Sequence, residues 1–272
     1  GVTLSPDPVF SQDTLKCEPV NVGDVDADDI TLLYEWTING FVQTQTSDQI
    51  SGPFSVGDNI GCTITTDDGV EQGASAFSST SVSNTAPFVD AVGVTPFLTV
   101  YSESAVECEG FAFDIDGATP VLSYEWTTNG VLLGNQPVLQ LTANDVDPGD
   151  PLTCTATATD EFGATGLNSS TTAVLNAPPE IIGLSISPEP FLIDSLVTCE
   201  ATTFDIDEDV DTVSYEWLDG DGVQIGNGNT LQLSSSIVED DEQLTCIATV
   251  VDAGGNETSD QIVRTLGNTP PT

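Results

Sequence analysis

The feature that most constrains this sequence is a Cys–Trp–Cys frame that occurs three times. Each copy has a Tyr-Glu-Trp motif between two cysteines, and the motif occupies positions 34–36, 124–126 and 215–217. The upstream cysteines are Cys17, Cys108 and Cys199, and the downstream cysteines are Cys62, Cys154 and Cys246. This arrangement is typical of two packed β-sheets, because a disulfide can cross the core between them and the indole can pack on it. The frame therefore predicts β-sandwich domains.

The frame also divides the chain into units. Its copies recur at intervals of 90 to 92 residues in a chain of 272 residues, and each copy has its own cysteines and tryptophan. A repeat of this length indicates one small domain. Segments with alternating apolar and polar residues surround the cysteines, and we find no amphipathic helix of useful length. The sequence predicts an all-β fold with three tandem domains, over residues 1–86, 87–177 and 178–272.

The chain is strongly acidic. Lys16 and Arg264 stand against 44 acidic residues, so the formal net charge is −42. Such a surface repels nucleic acid and anionic membranes and attracts metal cations, so we expect no nucleic-acid partner. Because no apolar run approaches the length of a membrane span, we also expect no direct membrane insertion. Paired cysteines in small β domains indicate a secreted or cell-surface protein.

With cysteine, tryptophan and cysteine on strands B, C and F, the chain resembles the immunoglobulin-like superfamily. Its Leu-Thr-Cys-x-Ala-Thr strands and its Asn-Ala-Pro linker are similar to tandem immunoglobulin-like (Ig-like) repeats of bacterial surface and secreted proteins. It lacks the tyrosine that antibody-type domains carry two residues before the second cysteine, where Ile60, Leu152 and Leu244 stand. The resemblance implies one intersheet disulfide per domain, since only intradomain pairing places each bond beside its own tryptophan. The expected bridges are Cys17–Cys62, Cys108–Cys154 and Cys199–Cys246.

The composition argues against catalysis. The chain has no histidine, which removes Ser-His-Asp and Cys-His nucleophiles, the commonest general base and ordinary zinc sites. The cysteines are used by the expected disulfides. Carboxylates are abundant on all three domains, and nothing singles out a pair that would act as in a glycosidase. We therefore expect no enzyme activity and no catalytic residues.

Aspartates recur at matching positions in the three copies. An Asp-x-Asp pair lies six or seven residues after the first cysteine, and another aspartate lies six residues after the second. In an Ig-like sandwich the B–C and F–G loops share one end, so these carboxylates can converge there and suit Ca²⁺. The alternative is that aspartate simply favours turns. The predicted metal ligands are Asp24, Asp26, Asp68, Asp114, Asp116, Asp160, Asp205, Asp207 and Asp252.

Short linkers with asparagine and proline follow each copy. They are Asn84-Thr85-Ala86-Pro87, Asn176-Ala177-Pro178-Pro179 and Asn268-Thr269-Pro270-Pro271. Proline-stiffened linkers of this length are not flexible tethers, so neighbouring domains must touch. We expect the acidic loops of repeat three to face the second linker and the repeat-two turn that contains Asp145, Asp147 and Asp150. The third linker indicates either a longer array or copies joined end to end, with a plain C-terminal tail as the alternative.

These features favour an extracellular structural protein. The predicted role is a stalk, fibre or filament segment built of Ig-like repeats, which spaces or adheres cells. The alternative is a binding module, an adhesin or receptor that recognises a glycan or protein ligand through exposed loops. A spacer needs no special domain whereas a receptor does, and no copy has an aromatic-rich loop of its own. Ca²⁺ is the one cofactor that the pattern indicates.

Overall fold

The structure is a computed structural model that describes residues 1–24 and 28–268. Within these ranges the chain forms 21 β-strands in three groups of seven. The described residues contain no helix long and apolar enough to cross a membrane. Each group of strands contains one copy of the cysteine and tryptophan frame, as the repeat predicts.

The strands have the following bounds. Repeat one contains β1 (Val2–Ser5), β2 (Thr14–Pro19), β3 (Thr31–Ile38), β4 (Phe41–Val42), β5 (Gln49–Ser51), β6 (Asn59–Asp67) and β7 (Ala76–Ser81). Repeat two contains β8 (Phe88–Thr95), β9 (Ala105–Phe113), β10 (Val121–Thr128), β11 (Val131–Gly134), β12 (Val138–Gln140), β13 (Pro151–Thr159) and β14 (Thr165–Ala173). Repeat three contains β15 (Glu180–Ser187), β16 (Leu196–Phe204), β17 (Val210–Leu218), β18 (Gln224–Asn227), β19 (Thr230–Gln232), β20 (Gln243–Asp252) and β21 (Glu257–Thr265).

The strands that carry the second cysteines show why these sequences form half-buried strands. In β13 the side chains of Leu152, Cys154, Ala156 and Ala158 are buried, and the threonines between them are partly exposed. Successive side chains of a strand point to opposite faces of its sheet, so this alternation directs one face to the core. The corresponding strand β20 has the same pattern.

The seven strands of each repeat form two antiparallel sheets. The first sheet has the orders β1-β2-β5, β8-β9-β12 and β15-β16-β19 in the three repeats. The second sheet has the orders β4-β3-β6-β7, β11-β10-β13-β14 and β18-β17-β20-β21. In Ig lettering these are sheets A-B-E and C′-C-F-G, which share the sandwich architecture of Ig and fibronectin domains. The predicted fold class, all-β with three tandem Ig-like β-sandwich domains, is confirmed.

One disulfide joins the two sheets of each repeat. The bridges are Cys17–Cys62, Cys108–Cys154 and Cys199–Cys246, with Cα atoms 6.4, 6.3 and 6.6 Å apart. They link the second strand of a repeat to its sixth, as the resemblance implied. Each tryptophan is fully buried and pairs in register with the second cysteine of its own repeat. The indole N–H groups donate hydrogen bonds of 2.9 to 3.0 Å to the carbonyls of Ser47, Gln136 and Gly228.

The turn that follows the tryptophan strand has hairpin geometry in two repeats. Asn39 and Gly40 have φ values of 52° and 81°, and Asn129 and Gly130 have φ values of 48° and 79°. Two successive left-handed residues form the turn whose twist matches a β-hairpin, and the Asn-Gly pair tolerates them best. Repeat three instead has a longer turn, in which the Asp219 carboxylate accepts hydrogen bonds from backbone N–H groups.

The linkers lie between the last strand of one sandwich and the first strand of the next. Strand β7 ends at Ser81 and β8 begins at Phe88, and β14 ends at Ala173 and β15 begins at Glu180. The proposed domain limits at 86/87 and 177/178 fall inside these connecting segments. These exact limits stay a prediction.

Candidate functional site

The acidic loops of repeat two lie where the chain enters that repeat from repeat one. Asp114 and Asp116 follow β9, and Asp160 follows β13. The Asp114 carboxylate accepts a hydrogen bond of 2.7 Å from the backbone N–H of Asp116, which bends the loop locally. The Asp160 carboxylate uses Oδ1 in the same way and accepts from the N–H groups of Phe162 and Ala164. The second oxygen of Asp160 therefore points away from its own loop.

At the first joint this second oxygen holds the linker. The Asn84 amide donates a hydrogen bond of 2.7 Å to Oδ2 of Asp160. The backbone N–H of the next residue, Thr85, donates to Oδ2 of Asp116. The hydrogen bond from Asn84 lowers the pKa of Asp160, and the backbone donors of its loop lower it further. Asp160 and Asp116 thus form a clamp, a pair of carboxylates that holds two successive linker residues.

The second joint repeats the same clamp. The Asn176 amide donates a hydrogen bond of 2.7 Å to Oδ2 of Asp252, and the N–H of Ala177 donates one of 2.7 Å to Oδ2 of Asp207. The Ser102 hydroxyl, which belongs to repeat two, also donates to Asp207. A Cβ atom added at Gly254 would lie 2.3 Å from the Asn176 amide nitrogen, so glycine leaves the space that this side chain occupies.

The repeat-two turn that contains Asp145, Asp147 and Asp150 was expected to face these loops. In the structure, its residues form hydrogen bonds within repeat two. Asp150 accepts hydrogen bonds from the Asn129 amide and from the N–H of Asp147. Asp145 accepts one from the Thr142 hydroxyl. The hydrogen bond from the body of repeat two to the acidic loops of repeat three comes from Ser102 instead.

A second arrangement of carboxylates is found beside the clamp of repeat three. One carboxylate oxygen from each of Asp205, Asp209 and Asp252 lies within 4.8 Å of the others. Asp205 is 5% exposed and Asp252 is 2% exposed. Oδ2 of Asp205 and Oδ1 of Asp209 are buried and receive no hydrogen bond from the described residues. The group, called the carboxylate triad below, gathers negative charge in a space with little access to water.

The pKa values of the triad reflect this crowding. Burial raises the pKa of Asp205, and the nearby charges of Asp207 and Asp252 raise it further. Burial also raises the pKa of Asp209, with the charges of Asp205 and Asp252 adding to the effect. Burial alone would raise the pKa of Asp252 as well, but hydrogen bonds from Asn256 and Asn176 outweigh it and lower the pKa. Asp252 is therefore the member of the triad whose pKa is lowered.

Repeat one has loops related to those of repeat two. Oδ1 of Asp68 accepts hydrogen bonds of 2.8 Å from the N–H groups of Val70 and Glu71, as Asp160 does in repeat two. Asp24 accepts one of 3.4 Å from the N–H of Asp28. Asp24 and Asp68 line a cavity of about 390 Å³ at this end of the repeat. Asp26, the third predicted ligand of this repeat, lies outside the described residues.

Among the predicted ligands, the structure brings Asp205 and Asp252 together. Four of the predicted ligands hold linkers, namely Asp116, Asp160, Asp207 and Asp252. The sequence reasoning missed Asp209. A signal for it was available, because Asp209 lies four residues after Asp205 and Asp28 lies four residues after Asp24. Repeat two has Ala118 at the matching position. Metal binding at any of the nine predicted ligands stays a prediction.

The chain was compared with known proteins. No protein-family model and no curated protein matches it. Solved structures that align with it include the three N-terminal domains of the Highly Immunogenic Outer Capsid protein of bacteriophage RB49, at 14% identity over 98% of this chain and 97% of that one, with a TM-score of 0.29. A Ca²⁺-stabilized adhesin of an ice-binding Antarctic bacterium aligns at 15% identity over 98% and 73%, with a TM-score of 0.35. By strand order, disulfide and tryptophan, the three repeats are Ig-like domains.

One exposed surface distinguishes the second Ig-like repeat. Phe88 and Phe113 are paired across strands with ring centroids 5.6 Å apart in an edge-to-face arrangement, and Phe111 lies on the same strand as Phe113. All three rings are more than half exposed. Repeat three has Glu180 and Thr202 at the positions of Phe88 and Phe111. This cluster lies on a sheet rather than in a loop.

Proposed function

We propose that this chain is an extracellular structural protein, a segment of a stalk, fibre or filament that holds its Ig-like repeats at fixed angles. The observation that carries the proposal is the clamp that recurs at both joints. Asn84 and Asn176 donate to the F–G aspartates Asp160 and Asp252, and the next N–H donates to a B–C aspartate. A hydrogen bond to a charged group is among the stronger ones in proteins. Two such bonds at each joint oppose bending.

The rest of the molecule suits this role. Three disulfides and no free cysteine in the described residues favour an oxidising, extracellular or cell-surface location. The high negative charge keeps such rods soluble and apart. The carboxylate triad lies beside the second joint, and we propose that Ca²⁺ is the ion that braces it.

The clamp leads to a prediction about flexibility. Replacing Asn176 with alanine removes the side-chain bond to Asp252, and we expect the population of bent molecules to rise about tenfold. Small-angle scattering would then show a shorter maximum dimension and a broader distribution of distances. Asn229→Ala is the matched control, because Asn229 is an exposed asparagine between β18 and β19 of repeat three. Equal scattering curves for Asn176→Ala and the wild type would refute the clamp.

The same contact can join one chain to another. No hydrogen bond from the described residues reaches Oδ2 of Asp68, the atom that corresponds to the linker-binding oxygen of Asp160. Asn268 begins a linker of the same type as Asn84 and Asn176. We therefore propose end-to-end pairing, in which an asparagine linker from another copy or repeat binds at Asp68.

Sedimentation measurements test this pairing. The sedimentation coefficient of the wild type is expected to rise with protein concentration, and Asp68→Ala is expected to suppress the rise. Asp90→Ala is the control for loss of one exposed charge. If all three proteins sediment alike at every concentration, end-to-end pairing through Asp68 is wrong.

A binding module is the second candidate, and the exposed cluster of Phe88, Phe111 and Phe113 is the feature that favours it. Exposed aromatic clusters of this kind are common in interaction sites. The structural role is preferred because the clamp is shared by two joints, whereas the aromatic cluster is special to one repeat. In this second candidate function, repeat two would bind the glycan or protein ligand.

A further inference from the structure

The carboxylate triad has an unbalanced charge. Its members come from different parts of the fold, since Asp205 and Asp209 lie in the loop between β16 and β17 and Asp252 ends β20. The two basic side chains of the protein lie elsewhere, with Lys16 paired to Glu18 and Arg264 paired to Glu189. Buried carboxylates are normally paired with a cation or neutralised. No basic side chain is available to the triad.

A second observation separates this triad from an ordinary acidic surface. Oδ2 of Asp205 is buried, in a residue that is 5% exposed, and it accepts no hydrogen bond from the described residues. Oδ1 of Asp209 is also buried and without a hydrogen bond from the described residues, in a residue that is half-buried. A buried oxygen without a donor is costly unless something else binds it. Both oxygens belong to residues of the triad, whose ligand atoms all lie within 4.8 Å of one another.

We propose that repeat three binds one Ca²⁺ ion through Asp205, Asp209 and Asp252. Oxygen-only ligands at this spacing suit a hard cation, and the lack of histidine and of free cysteine among the described residues disfavours softer metals. Ca²⁺ tolerates irregular sets of six to eight oxygens, which carboxylates and water can supply together. The inference deepens the proposed function, because it assigns an ion to one joint.

The repeats differ in their capacity for this ion. In repeat two the position of Asp209 is taken by Ala118, so its loops keep two carboxylates for the linker and lack the third ligand. Among the described residues only the triad of repeat three brings three such groups this close. One ion per chain is therefore the expected stoichiometry.

The ion would also act on the second joint. Asp252 belongs both to the triad and to the clamp, since its Oδ2 accepts from the Asn176 amide. Asp205 accepts a hydrogen bond of 2.7 Å from the N–H of Asp207, whose carboxylate holds Ala177. Neutralising the triad removes the repulsion between the loops that hold the linker. We expect bound Ca²⁺ to stabilise repeat three and to stiffen its joint with repeat two.

The test is titration calorimetry and thermal unfolding of the full chain after removal of ions with a chelator. Ca²⁺ is expected to bind at one site, and at a hundred times its Kd to raise the melting temperature of repeat three by roughly 10 °C or more. Asp209→Asn keeps the shape of the side chain and removes one charge, so it is expected to fold and to lose the Ca²⁺ response. Glu208→Gln removes an exposed charge from the same loop and should respond as the wild type does.

Several results would overturn the inference. The inference is wrong if calorimetry detects no heat of binding at millimolar Ca²⁺, or if Ca²⁺ raises the melting temperature of Asp209→Asn as much as that of the wild type. It is also wrong if the same concentration of Mg²⁺ raises the melting temperature equally, because that result would indicate general screening of the acidic surface. The scattering experiment on Asn176→Ala separates this inference from the proposed function. If Asn176→Ala loosens the joint while Ca²⁺ fails to bind, the clamp stands and the metal site is wrong.

Discussion

Replacement of Trp217 by alanine is expected to lower the stability of repeat three by about 3–5 kcal/mol, the usual cost of deleting a large buried aromatic side chain. Trp217 is completely buried beside the disulfide, and its indole N–H satisfies the carbonyl of Gly228. The substitution leaves a cavity and a buried carbonyl without its donor. For a domain of this size the melting temperature should fall by roughly 15 °C or more.

Calorimetry of the whole chain can assign this loss to one repeat. The transition of repeat three should move while those of the other two stay close to their original temperatures. Trp217→Phe retains much of the volume but not the N–H donor, so a smaller loss is expected. Val223→Ala is the control, because Val223 is 58% exposed on the same repeat. A thermogram of Trp217→Ala that matches the wild type would show that the indole is not central to the core.

Removal of the disulfide from repeat two is the second large effect. Replacing both Cys108 and Cys154 with alanine opens a loop whose ends are 46 residues apart. The chain-entropy treatment of cross-links gives about 4 kcal/mol for a loop of this length. We expect the double variant to unfold at a clearly lower urea concentration than the wild type under oxidising conditions.

Two comparisons check the origin of that loss. The alanine variant should be insensitive to reductant in repeat two, whereas the wild type should fall to a similar stability when its disulfides are reduced. Trapping of free thiols with an alkylating reagent reports which cysteines have opened. Equal urea midpoints for the oxidised wild type and the double alanine variant would contradict a stabilising role for the bridge.

The fold could be predicted from the sequence because the cysteines and tryptophans that identify it recur in all three repeats. Cys154 and Trp126 lie opposite each other across two paired strands, and the same relation holds in the other repeats. Strand alternation and Asn-Gly turns are local properties of the chain, so they can be recognised without tertiary information.

The site was less predictable because it depends on how loops bend in space. Asp205 and Asp207 are equally plausible ligands by spacing, but the N–H of Asp207 binds the Asp205 carboxylate. The Asp207 carboxylate then holds Ala177, and Asp209 takes its place beside Asp252. The spacing of the aspartates in the sequence does not predict which of them joins the triad and which holds the linker. The sequence predicted that the acidic loops of repeat three face the linker. It did not predict that the Asn176 side chain donates a hydrogen bond to one of them.

The position of the disulfides has a mechanical consequence for a protein under tension. In the proposed structural role, tension along the chain would enter and leave each repeat through its first and last strands. In repeat two these strands lie outside the covalent loop closed by Cys108 and Cys154. If repeat two is pulled open, the residues inside that loop cannot extend. At about 3.4 Å per residue, the repeat can lengthen to roughly 150 Å rather than about 300 Å. Each bridge therefore limits how far a pulled repeat can lengthen.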